Sequence, residues 1–146
     1  MILFYCEQKK QNMVFKINVA MNGKTFKAET ENEELVGHRI GENIDGSLIS
    51  GDLAGFELLI TGTSDKAGFF GSPKINGPDL KRVLLTYGLG MHCRPKGERK
   101  KHDKPKGLRL RKTVRGNEIS LDTVQINTKV TKEGAKKFEA LFAPAE

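Results

Sequence analysis

From Arg94 to Arg115 the chain carries eleven Lys or Arg against two acids, Glu98 and Asp103, a net charge of +9 in 22 residues. The whole chain carries only +7, so everything outside this run sums to −2. A near-neutral body therefore holds one concentrated cationic ribbon, which repels itself and lacks an apolar face of useful width. The chemistry on offer is anion recognition. Arg supplies a planar fork for phosphate and for guanine edges, and Lys a point charge. The densest regular source of the missing negative charge is a nucleic-acid backbone. Charge runs are often solvated tails, but this one lies inside the chain between β-patterned segments, so both of its ends are anchored. Pro95, Gly97, Pro105 and Gly107 break helix and let it follow an irregular groove. The candidate contacts are Arg94, Lys96, Arg99, Lys100, Lys101, Lys104, Lys106, Arg109, Arg111, Lys112 and Arg115. No helix pattern suits a DNA major groove, whereas a non-helical basic loop suits folded RNA with its irregular phosphate lines and 2′-hydroxyls.

Other chemistries find little support. Gly88-Leu89-Gly90 would need a third glycine where Cys93 stands, and Gly23-Lys24 lacks the glycine five residues earlier, where Asn18 stands. Neither phosphate-loop fingerprint is present. His92, Cys93 and His102 are near one another, but a structural zinc site needs four ligands, usually in close pairs, and there is no C-x-x-C. The three histidines, His38, His92 and His102, lack a recognisable nucleophile or carboxylate setting; His102 beside Asp103 is the nearest approach to one. We therefore expect no catalytic residue, no metal, no cofactor and no small-molecule substrate. The loop from Thr63 to Phe70 has two readings: a strand connection whose phenylalanines return to the core, or a phosphate cradle of backbone amides with Thr63, Ser64 and Lys66 and an aromatic free to stack on a base.

The elements that must position these groups read as β. Phe15–Val19 and Lys24–Ala28 alternate apolar and polar residues, and between them Asn22-Gly23 is the pair best able to take φ > 0 in a tight hairpin turn. Further strands are expected at 56–61, 82–86 and 124–130. Glu33–Val36 could form a short helical turn, and Thr131 is a candidate N-cap for a short C-terminal helix with Ala135, Phe138, Leu141 and Phe142 on one stripe. Residues 29–57 are the electrostatic opposite of the ribbon, with eight acids against Arg39 alone. The expected fold is a mainly β, small barrel-like domain with a long basic loop, since closure removes exposed edges. The expected layout is an extension over residues 1–12, a β domain over 13–130 bearing the ribbon at 94–115, and a helix or tail over 131–146.

A chain of 146 residues fits one domain with extensions. No run approaches the roughly 20 apolar residues of a spanning helix, and the opening six apolar residues, with no basic n-region and no small-residue cleavage site, are not expected to act as a signal peptide. Two cysteines are too few for a disulfide framework and point to a reducing cytosol.

Four strings occur in order: Ile60-Thr-Gly-Thr-Ser-Asp-Lys-Ala-Gly-Phe69, Arg94-Pro-Lys-Gly-Glu-Arg99, Arg111-Lys-Thr-Val-Arg-Gly-Asn117 and Val124-Gln-Ile-Asn127. Over about residues 13–130 the chain resembles the small-subunit ribosomal protein "six" family of archaea and eukaryotes, in its short archaeal form. The long basic C-terminal helix of eukaryotic members, with its phosphorylated serines, has no counterpart. The resemblance implies a β-barrel-like core, ribosomal RNA and neighbouring ribosomal proteins as partners, a cytoplasmic, ribosome-associated structural role near the foot of the small subunit, and no catalysis. It makes Arg94, Lys96, Arg99, Arg111, Lys112, Arg115 and Asn117 the leading RNA contacts, joined by Lys66. Three features depart from the family pattern. Phe70-Gly71-Ser72-Pro73 follows Asp-Lys-x-Gly-Phe where Pro-Met is usual, Lys100–Leu110 is longer than the usual link, and residues 1–12 have no clear counterpart. The alternative reading is a protein-interaction adaptor, or another non-ribosomal RNA-binding module, that uses the acidic stretch and the ribbon.

Overall fold

Asn22 and Gly23 make the turn their types favour, with φ of 47° and 80°, and this fixes the register of the first hairpin. The computed structural model describes residues 14–92, 107–134 and 138. Strand β1 (Phe15–Met21) runs antiparallel to β2 (Lys24–Thr30), Met21 opposite Lys24 and Phe15 opposite Thr30. The period-two pattern then places Phe15, Ile17 and Val19 on one face, each fully buried.

Three 3₁₀ turns at Glu33–Leu35, Gly46–Leu48 and Gly51–Leu53 surround β3 (Asn43–Asp45) and lead into β4 (Glu57–Asp65). Asn32 caps the first turn, its side chain accepting from Glu34 N at 3.1 Å. After β4 come β5 (Leu80–Thr86), β6 (Arg109–Arg115) and β7 (Thr123–Lys132). β7 is the hub of the body: it pairs parallel with β1 and antiparallel with β4, giving a five-stranded sheet ordered β2-β1-β7-β4-β3. Inward-facing Ile126, Val130, Leu58, Ile60 and Ile44 extend the apolar face, and Leu35, Ile49, Leu53, Phe56 and Ile119 cover it. Each such side chain contributes about 1.5–3 kcal/mol on burial.

Strands β5 and β6 form a separate two-stranded ribbon. The mainly β expectation holds, but the barrel does not: among the described residues the large sheet stays open. It avoids edge pairing by other means, with only three residues in β3 and two lysines, Lys24 and Lys27, on β2. The ribbon reading also needs correction at its C-terminal end, because residues 109–115 are a paired strand and not part of a loop. Thr131 is no helix cap, since β7 runs on through it to Lys132. Of the expected C-terminal stripe, Phe138 is described and is buried against the core; the rest of that stripe and residues 1–12 lie outside the described residues.

Candidate nucleic-acid interface

The register of the β5–β6 ribbon decides which cations act together. Residues directly opposite one another share a face, so one face carries Arg82 with Thr113, Leu84 with Arg111, and Thr86 with Arg109. Arg82, Arg109 and Arg111 are all exposed. Each faces a neutral partner, which avoids the cost of directly opposed like charges. Two residues along a strand span about 7 Å, less than the Debye length of about 8 Å at physiological salt. The three guanidinium groups therefore repel one another with little screening, and an anion laid along them relieves that repulsion. The other face bears Lys81 and Lys112 beside Val83, Leu85 and Leu110. Neither strand contains an acid. Leu84 remains 51% exposed and Leu80 44%, while Val114 and Met91 at the root are fully buried, so among the described residues the ribbon is an arm with one face in water.

Arg115, at the root of the arm, shares that register face but lies where the strand meets the body. It is 9% exposed. Its Nε donates to Asp65 Oδ2 at 3.0 Å, its Nη1 to the Pro78 carbonyl at 2.9 Å and to Ser120 Oγ at 3.4 Å, and its Nη2 to Asp122 Oδ2 at 3.5 Å. The Asp65 side chain is only 1% exposed, and a buried carboxylate requires a cation. Where the sequence suggested an RNA contact, Arg115 engages the protein itself. Asn117 is likewise 9% exposed. It donates from Nδ2 to Asn76 Oδ1 at 3.2 Å, its amide donates to the Ile75 carbonyl at 2.8 Å, and its Oδ1 is buried without a partner among the described residues. It too is part of the body. Gly116, between these two, must be glycine, because a Cβ there would overlap the Gly77 carbonyl oxygen.

The loop after β4 is tied into the same junction. Asp65 Oδ1 accepts from Phe69 N at 2.8 Å, and the amides of Asp65, Lys66 and Gly68 donate to the carbonyls of Phe69, Asp122 and Asp65. With these four amides used internally, they form no phosphate cradle, and the loop is a structural connection. Phe70 is half-buried and approaches Gly90 so closely that a Cβ there would overlap its ring. Phe70 O accepts from Arg115 N at 3.0 Å, and Arg115 O from Ser72 N at 2.9 Å. Two strings fifty residues apart thus lock together through Asp65 and Arg115. Lys66 is exposed at this junction, near the root of the arm.

Residues 13–143 match the family described as ribosomal protein S6e. The chain belongs to this family. It is 43% identical over 125 residues to the small ribosomal subunit protein eS6 of Methanococcus maripaludis, covering 84% of this chain and 91% of that one. To the protein of the same name from Methanothermobacter thermautotrophicus it is 39% identical over 137 residues, covering 92% and 99%. In this S6e chain the structure brings Arg109 and Arg111 together with Arg82, which sequence reasoning misses because Arg82 lies in the preceding strand β5, outside the 94–115 charge run. The period-two Arg109-Leu110-Arg111 is the available signal, hidden inside the charge density. Lys112 sits half-buried on the arm's opposite face. Arg94, Lys96, Arg99, Lys100, Lys101, Lys104 and Lys106 lie outside the described residues. Among the described residues no cluster of His, Cys, Asp or Glu could hold a metal ion, and no helix is long and apolar enough to cross a membrane.

Proposed function

We propose that this chain is a structural, non-enzymatic protein of the small ribosomal subunit that works in the cytoplasm and binds ribosomal RNA through the β5–β6 arm and the basic segment it carries. The single observation that carries this reading is the exposed Arg82–Arg111–Arg109 face, which adjoins the cationic run that ends in β6. Relatives named as small-subunit ribosomal proteins point to the RNA and to neighbouring ribosomal proteins as its partners. Lys and Arg neutralise phosphates so that RNA helices can approach, while the five-stranded body holds the root of the arm through Asp65 and Arg115. Lys66 lies close enough to that root to join the contact surface.

Two measurements test this reading. In lysate fractionated at low and at moderate salt, the protein should migrate with the small subunit at a constant ratio. For purified protein on small-subunit RNA, neutralising about eight phosphates gives a slope of log K against log salt near −6 to −7. The Arg82→Gln/Arg109→Gln/Arg111→Gln variant should flatten that slope by about 2. A slope shallower than about −2 for the unaltered chain would rule out the proposal.

A further inference from the structure

Among the described residues, the face of the large sheet opposite the core is uncovered, polar and basic along three adjacent strands. By register it presents Lys16 and Asn18 from β1, Lys27 and Glu29 from β2, and Gln125, Asn127 and Lys129 from β7. Lys16, Lys27 and Lys129 are exposed, and Glu29 is the single acid among these seven residues, giving a net charge of +2. The side-chain amides are already organised: Asn18 Nδ2 and Gln125 Nε2 both donate to Asn127 Oδ1, at 3.0 and 2.9 Å. Thr61 Oγ1 donates to the Asn127 carbonyl at 2.9 Å, holding that residue from the other side. A groove of about 220 Å³ runs between these strands, lined by Lys16, Asn18, Lys27, Glu29 and Gln125. Two acids, Asp45 and Glu57, sit opposite one another in register at the β3 edge of the same sheet, with Glu57 paired to Lys132.

We infer that this face is a second RNA-binding surface, separate from the arm, that holds one sugar–phosphate strand along β1 and β7. Three lysines match phosphates, and the fixed amides match 2′-hydroxyls, which both donate and accept. The charge complementarity, with the amides held in place ahead of any partner's arrival, favours RNA as the occupant. The chain would then join two RNA segments, one on the arm and one across the body, as a structural protein of a folded RNA must. The inference rests on RNA being the ligand.

The test is lysine acylation of the full chain, read by mass spectrometry with and without transcribed small-subunit RNA, using Lys132, held by Glu57 at 2.8 Å, as internal reference. Lys16, Lys27 and Lys129 should be protected together with Lys100, Lys101 and Lys104 of the basic segment that the arm carries. The Lys16→Gln/Lys27→Gln/Lys129→Gln variant should keep its thermal midpoint while its salt slope flattens by about 2. Full reactivity of the sheet lysines beside protected arm lysines overturns this inference and leaves the arm standing. If these three react with RNA present but are protected in the assembled subunit, a protein covers them, and the inference is again overturned. If neither set is protected, RNA binding itself is wrong and the inference falls with it.

Discussion

Arg111 and Arg115 sit on the same strand four residues apart, yet they belong to different regions of the molecule. At the root, the strand meets the body, Arg115 is 9% exposed and its guanidinium is shared among Asp65, Pro78, Ser120 and Asp122. Farther along the arm, Arg111 is exposed opposite Leu84. The five-stranded sheet packs one face on a continuous core, whereas the two-stranded ribbon leaves Leu80 and Leu84 in water. An isolated two-stranded ribbon is marginal at best in water, so the arm depends on its anchored root and on whatever it binds. The same residue type therefore holds a buried carboxylate in one region and stands in solvent in the other.

The largest effect should come from Arg115→Ala, which leaves the buried Asp65 carboxylate without its cation. Removing one partner of a buried pair costs about 3–5 kcal/mol, visible as a lower denaturation midpoint at unchanged slope. If the cost stayed below about 1 kcal/mol, the contrast between root and arm would collapse. Arg111→Gln sharpens the contrast from the other side. Its unfolding free energy should stay within about 0.5 kcal/mol of the parent, while its RNA salt slope loses about 1. The smallest effect belongs to Glu42, whose carboxyl is held below its usual 4.5 chiefly by the Arg39 amide and secondarily by His38. A depressed carboxylate adds stability above its unfolded value, and that stability fades as pH falls below about 4.5 toward the folded value. Because the group is exposed, Glu42→Gln should only slightly flatten the acid limb of a stability–pH curve measured by denaturant titration.

Much of the body is legible in the residue pattern alone. The Asn22-Gly23 hairpin, the alternation at 124–130 and the short turn at Glu33 all appear where that pattern places them, because turn chemistry and period-two burial are local properties. The open sheet is not legible in the same way. Whether β2 and β3 meet depends on the order in which β7 inserts between β1 and β4, and no local pattern carries that order. Strand β6 is hidden because its charge outweighs its alternation. Arg115 and Asn117 look like contacts beside their neighbours, since nothing in the string distinguishes an outward polar group from one turned into the body, as Arg115 turns onto a buried carboxylate fifty residues away.

The sequence by itself determined the charge layout, the β character and the family, because each is written in residue types and their spacing. Tertiary structure alone decided which cations converge. The β5–β6 register aligned Arg82 with Arg109 and Arg111, and the β4–β7 junction drew Arg115 inward, since long-range pairing sets which face of a strand meets protein and which meets solvent.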